Sequence, residues 1–201
     1  TQGHTFVSVV VAFLLVSRVQ SVQARYANAR TSLATMYRAT RELIMDMSIL
    51  TLDNTSDNAK RWRYEVAYRS LLLLRTSMAV IDYPTDFVAS WKVPELQGEE
   101  LEDIMRHSFD SGEVKEFRHE ARSEFEESMR VPIRISYLLK KSLQKHSKML
   151  LIQEHSTGTS NPVAGGPIPT SHYVNLLKNV DEFMNGYYGM RKMLTTPIPF
   201  P

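Results

Sequence analysis

The chain has 201 residues, 43% of them hydrophobic, and a formal net charge of +2. This length suits one domain, or one domain with an appended region. The absence of cysteine excludes disulfides, zinc–thiolate sites and thiol catalysis in this sequence. The charges lie in blocks: arginines in residues 1–50, mostly acids in residues 95–127 and bases in residues 130–155. Such blocks indicate solvated or mutually docking helices rather than a nucleic-acid-binding surface.

The hydrophobic residues are concentrated in one stretch, Phe6–Arg18, with the sequence FVSVVVAFLLVSR. It is shorter than the roughly 20 residues that span a bilayer, but it begins almost at residue 1. We therefore expect the chain to be an excised piece of a longer protein. A helix without proline or glycine is predicted over Thr5–Leu52, about 70 Å long. We interpret the apolar stretch as the membrane end of this helix, which leaves the bilayer at Arg18.

The arginines after the apolar stretch indicate the cytoplasmic side of a membrane. The continuing heptad-like stripe predicts packing on partner helices; its members are Val22, Tyr26, Ala29, Leu33, Met36, Leu43 and Met47, with Thr40 as one polar step. A second helix is predicted over Lys60–Ile81, with Ser56 or Asp57 as its N-terminal cap, and is expected to end before Pro84. Its predicted buried stripe is Ala67, Leu71, Leu74, Met78 and Ile81, and its predicted solvent-facing arginines are Arg63, Arg69 and Arg75.

The second half of the chain also shows helical patterns only. Glu99–Met129 predicts two acidic helical pieces split at Ser111 and Gly112, and Pro132 opens a further helix. The Gly- and Pro-rich residues 156–169 predict a linker. A last helix is predicted from Thr170 or Ser171 to about Leu194, with a buried side formed by Val174, Leu177, Val180, Phe183, Met184 and Tyr187. The predicted fold class is all-α, because no pattern of period two occurs.

Catalytic and metal-binding motifs are weak. Glu116 and His119 have the E-x-x-H spacing of di-iron bundles, but that site needs two such motifs and further carboxylates. No phosphate-binding loop or nucleophile motif is present. We therefore predict no enzyme, no metal site and no cofactor.

Two stretches resemble the bestrophin family of anion channels and their bacterial and chloroplast relatives. The first covers residues 6–43, where the LLVSR step of Leu14–Arg18 precedes an arginine-rich continuation that includes Arg25-Tyr26-Ala27-Asn28-Ala29-Arg30. The second is YYGMRKMLTTPIPFP, residues 187–201, which resembles the proline segment before the family's third membrane span. The order and separation of the two stretches also match.

The resemblance implies a homopentamer in a lipid bilayer that conducts chloride or bicarbonate passively. It places a hydrophobic pore neck at Phe6 and Val10, with Gln2 one turn further out. It places a second constriction near residues 168–172, where Ile168, Ser171 and His172 are candidates. The family's calcium-binding cluster follows a later span, so calcium gating cannot be judged from this sequence. The membrane is the plasma membrane or the chloroplast (thylakoid) membrane.

The division of the chain follows from this reading. Residues 1–18 are the cytoplasmic-side part of the pore helix, residues 19–194 a helical extramembrane domain, and residues 195–201 the approach to the next span. Arg18, Arg25 and Arg30 either attract anions, anchor the topology or pair with the acidic segment 113–127.

Two alternatives from other classes remain open at the level of sequence. One is a soluble or peripheral helical scaffold in which residues 6–17 form a buried core helix, and the other is a di-metal helical enzyme. Detergent dependence distinguishes the first from a channel, and bound iron or manganese would indicate the second.

Overall fold

The computed structural model describes residues 2–52, 54, 56–109, 124–156 and 170–196. Its elements are α1 (Gln2–Leu50), α2 (Asp57–Asp86), a 3₁₀ turn (Ser90–Lys92), α3 (Gly98–Phe109), α4 (Glu124–Ser128), α5 (Val131–Ser156) and α6 (Thr170–Thr195). These ranges contain helices and no strand, so the predicted all-α class is confirmed. The predicted split at Ser111 and Gly112 and the predicted linker after Ser156 lie outside the described residues.

Four helices pack in a ring in the order α1, α2, α5, α6. Neighbours are antiparallel, as hydrogen bonds near opposite ends of each pair show. Asn179 near the start of α6 donates to the Asp46 carboxylate near the end of α1, at 3.0 Å. The indole Nε1 of Trp62, near the start of α2, donates to the carbonyl of Ser142 in α5 at 3.1 Å. The four helices therefore alternate up and down around the bundle.

One continuous hydrophobic core fills this bundle. Its fully buried members come from all four helices: Met36, Met47, Val66, Leu72, Leu73, Val80, Ile135, Leu139, Leu143, Leu176 and Tyr187. The Tyr187 hydroxyl donates to the carbonyl of Met129 at 2.6 Å. Burial raises the pKa of this hydroxyl above its ordinary value, so it remains a neutral donor.

The most extensive helix pair is α1 with α6. Gly186 and Gly189 of α6 lie directly against α1. A Cβ at Gly186 would come within 2.8 Å of the Ser32 carbonyl oxygen and of Met36 Cγ, and a Cβ at Gly189 within 2.5 Å of Ser32 Oγ. Only a residue without a side chain permits this separation between the two helices.

We predict that Gly186→Ala destabilises the bundle. Alanine favours a helix interior by about 1 kcal/mol over glycine, but the added methyl meets a backbone carbonyl, and such overpacking typically costs about 1–3 kcal/mol. A lower midpoint of thermal unfolding is expected. Asn185→Ala, one residue earlier on the exposed side of α6, is the control and should not lower it. Equal midpoints for the two variants would contradict the close approach.

The predicted stripe of α1 is confirmed only in its second half. Met36, Thr40, Leu43 and Met47 are buried, whereas Val22 and Tyr26 are exposed. The reason is that α6 ends at Thr195, level with Arg25 of α1. The apolar stripe of α1 therefore extends in the sequence beyond the part of α1 that α6 covers.

The predicted stripe of α2 lies beside its buried face, where Ala67, Leu74 and Ile81 are half-buried and pack against the core. The buried face is formed by Ala59, Trp62, Val66, Ser70, Leu72, Leu73, Thr76, Ser77 and Val80, and Leu71 is 56% exposed. Ser70 and Thr76 are tolerated in the core because their hydroxyls donate to the carbonyls of Val66 and Leu72. Hydrophobic periodicity cannot identify such small, internally satisfied polar residues as core.

Smaller corrections concern helix ends and α6. Pro84 does not end α2, which continues to Asp86 and closes with Phe87 in the left-handed conformation. Val174, predicted to be buried, is 53% exposed, and Leu176 takes its place in the core. The predicted cap at Ser56 is confirmed, since its hydroxyl accepts from the Ala59 amide at 3.2 Å.

Candidate pore helix and its arginines

The first part of α1 projects beyond the bundle, and none of the described elements covers it. Every residue from Phe6 to Gln20 is exposed, and none of the most apolar 18-residue window of this helix is buried. It is the one helix in the described ranges long and apolar enough to cross a membrane. Valine, leucine and phenylalanine occur on all its sides, which is the pattern of a surface in contact with lipid or other apolar helices. A core helix of a soluble protein would be covered.

We predict that this segment controls partition into detergent. The chain should enter the detergent phase in a phase-separation assay, because the turns from Phe6 to Val16 carry apolar side chains on all their sides. Replacing Val9, Leu14 and Val16 with glutamate should move it to the aqueous phase. The control carries glutamate at Leu52, Leu71 and Phe87, which are exposed on the bundle. An aqueous unmodified chain would contradict a membrane-embedded helix.

The two candidate neck residues lie on one side of α1. Phe6 and Val10 are one turn apart, and their side chains are 72% and 40% exposed. Phe13, which the sequence interpretation did not include, lies on the same side and is 71% exposed. At about 100° per residue, this side is about 120° from the face that carries Met36 and packs on α6. The side chain of Gln2 lies outside the described residues.

The three candidate arginines have different surroundings. Arg18 is exposed on the projecting part, and Arg30 is exposed five residues after Arg25. Arg25 is half-buried and points at the end of α6, where its Nη2 donates to the carbonyls of Thr196 at 2.6 Å and Met193 at 3.3 Å. Met193 belongs to the last turn of α6 and Thr196 directly follows the helix; open carbonyls at this end carry the negative end of the helix dipole. Residues 110–123 are not described, so pairing with the acidic segment remains a prediction.

A basic groove follows along the outer face of α1. Its volume is about 790 Å³, and it is lined by Arg30, Thr31, Ala34, Thr35, Tyr37, Arg38 and Arg41. Arg38 is 3.5 Å from Glu182 and 3.9 Å from Glu42. The sequence interpretation used Arg38 and Arg41 as indicators of the cytoplasmic side but did not include them among the candidates for attracting anions.

The candidates for a second constriction are only partly visible. Ser171 and His172 lie in the first turn of α6 and are exposed. Ile168 lies outside the described residues. The structure therefore shows two accessible side chains at the end of α6 that is remote from Arg25.

A charged groove of about 630 Å³ lies between α2, α3 and α5. Arg69, predicted to face solvent, is instead half-buried there: it contacts Glu65 at 2.7 Å and Glu100 at 3.1 Å and donates to Ser142. The prediction for Arg69 is wrong because α3 and α5 cover this side of α2. Arg134 forms a bidentate pair with Asp103, at 2.5 and 2.9 Å, and this hydrogen bonding raises the pKa of Arg134.

Arg63 is also misassigned as solvent-facing. Its Nη1 donates to the carbonyls of Thr51 at 2.5 Å and Asn54 at 3.2 Å, just beyond the end of α1. Arg75 is exposed as predicted and pairs with Glu95 at 3.3 Å. At intervals of six residues the three arginines lie about 120° apart around α2, so they face different neighbouring elements, and those elements decide which of them meets solvent.

Metal chemistry receives no support from the described part of the chain, where no group of three or more metal-ligating side chains occurs. Glu116 and His119 lie outside it.

The comparisons with known proteins agree with the geometry of the uncovered helix. The family model of bacterial and fungal bestrophin proteins matches residues 1–201, the whole sequence. No curated protein and no solved structure matches the chain. Bestrophins are membrane anion channels rather than enzymes. By this match, the chain belongs to the bacterial and fungal bestrophin family.

Proposed function

We propose that the chain is a subunit of a pentameric channel that conducts chloride or bicarbonate passively, with the first turns of α1 forming its neck. The observation that carries this proposal is the uncovered apolar half of α1 in a bestrophin family member. An apolar helix exposed on all sides needs both lipid and partner helices, which a ring of α1 helices in a bilayer supplies.

Phe6 and Val10 are proposed as the neck, with Gln2 at its outer end. Their side of α1 is directed away from the bundle, so five copies of it can converge on a common axis while the bundles pack outside. A ring of phenylalanine and valine side chains excludes water from a narrow pore. The edges of phenylalanine rings carry partial positive charge, which favours a passing anion.

The same side of α1 becomes polar beyond the neck. Ser17, Gln20, Ala24 and Asn28 follow Phe13 at spacings of three or four, and all are exposed. Arg38 continues this side, and Arg30 and Arg41 lie beside it in the basic groove. We propose that Arg18 and this groove raise the anion concentration near the inner mouth.

The division of the chain follows from the neck. We propose that residues 1–18 lie in the membrane, that the bundle within residues 19–194 lies in water on the cytoplasmic-type side, and that residues 195–201 lead to the next span. A second constriction near Ile168, Ser171 and His172 is proposed at the far end of α6. The membrane is proposed to be the plasma membrane or a thylakoid membrane.

Contacts between identical subunits are proposed along the outer side of α1 and α2. An apolar groove of about 450 Å³ lies there, lined in part by Tyr37, Leu71, Leu74 and Met78. Leu71 and Tyr37 are 56% and 49% exposed. Exposed apolar surface of this kind is typical of an interaction site, and a neighbouring subunit of a ring would cover it.

We predict that the variant Phe6→Ala/Val10→Ala raises chloride conductance or changes anion selectivity in bilayer recordings of the full-length protein. Removal of both large side chains widens the neck and weakens its exclusion of water. Unchanged conductance and selectivity would contradict the assignment of the neck.

The control for this experiment is Val11→Ala/Leu15→Ala. It deletes similar apolar groups from the side of α1 that lies about 160° from Phe6. Conductance and selectivity should remain those of the unmodified channel. If this control alone changed them, another side of α1 would line the pore.

A further inference from the structure

We infer that Arg25 is a positioning residue of the channel, which holds the pore helix α1 in a fixed relation to the end of α6. The inference rests on the proposed function, because it assigns a role to Arg25 in conduction. The carrying observation is the pair of hydrogen bonds from Arg25 Nη2 to the carbonyls of Met193 and Thr196.

The position of Arg25 along α1 is the first reason. It lies at the level where α6 ends and the uncovered part of α1 begins, seven residues or about 10 Å after Arg18. Every residue of α1 from Phe6 to Gln20 is exposed. Arg25 therefore makes a polar contact with the end of α6 at the boundary between the covered and the uncovered part of α1.

The chemistry of the contact is the second reason. A guanidinium is planar and presents its donors in a fixed geometry, so two bonds from one nitrogen set direction as well as distance. The carbonyls of Met193 and Thr196 belong to the end of α6 and to the residue just after it, and Pro197 follows in the sequence. Arg25 thus links the pore helix to the C-terminal end of α6.

The third reason is energetic and concerns the difference between the effect of Arg25 on folding stability and its effect on the orientation of α1. Arg25 Nη1 is buried without a hydrogen-bond partner, and an unpaired buried donor carries a desolvation cost. This cost offsets part of the gain from the two bonds of Nη2. The contribution of Arg25 to folding is therefore smaller than two hydrogen bonds alone would give, whereas its effect on the orientation of α1 remains.

The chain contains a matched contact at the other end of α1. Arg63 also donates to two carbonyls beyond a helix end, those of Thr51 and Asn54. It lies about 40 Å from Arg25 along α1, far from the candidate neck. The two arginines have the same chemistry and differ in location, so comparison of their variants isolates the role of position.

The experiment measures chloride efflux from vesicles that contain the full-length protein, with Arg25→Met, Arg25→Lys and Arg63→Met. Methionine keeps the bulk of the side chain and removes its donors. Per folded oligomer, Arg25→Met should lower the rate of efflux at least about threefold. Arg63→Met should conduct like the unmodified protein, and Arg25→Lys, which retains a charged donor, should recover part of the loss.

Thermal unfolding and size-exclusion profiles accompany the flux measurement, so that only folded protein is compared. Equal flux for Arg25→Met and Arg63→Met would overturn the inference. If Arg25→Met fails to fold, Arg25→Lys provides the test, and flux equal to that of the unmodified protein at unchanged selectivity would overturn the inference in that case. Absence of chloride efflux from the unmodified protein would instead refute the proposed channel function.

Discussion

The antiparallel contact between α1 and α6 is the constraint on which the rest of the structure depends. Gly186 and Gly189 bring α6 so close to Ser32 and Met36 that no added side-chain atom fits between them. This contact covers only the second half of α1, because α6 ends at Thr195. The bundle therefore packs against the second half of α1 and leaves the first turns of α1 exposed to a different environment.

The polar contacts of the bundle serve to place helix ends. Arg25 binds the end of α6 and Arg63 binds the chain just after α1, so the open carbonyls that every helix end carries find a partner from the neighbouring helix. Arg69 instead joins α2 to α3 and α5 through Glu65, Glu100 and Ser142. Each of these arginines forms hydrogen bonds or ion pairs with a neighbouring element in place of water, so none of them is only a solvated surface charge.

The uncovered part of α1 is the feature of the fold that relates most directly to function. A soluble bundle places its most apolar helix in the core, whereas here the most apolar stretch is the least covered part of the described chain. The family match accounts for the exposure of this apolar stretch, because membrane channels use such helices between lipid and pore. Along the same helix the apolar turns precede the basic groove that begins at Arg30, which is the order that the proposed passage from membrane to water requires.

Sequence by itself determined the helical class, the long α1, the cap at Ser56 and the family, since these depend on local pattern and on two short stretches, residues 6–43 and 187–201. The tertiary structure alone decided which faces are buried. Periodicity favoured Leu71 and Leu74 over Ser70 and Thr76, because a pattern cannot show that a hydroxyl is satisfied by its own helix. It likewise could not separate Arg25, Arg63 and Arg69 from solvated arginines. Their acceptors are carbonyls and carboxylates that come close only when distant parts of the chain pack together.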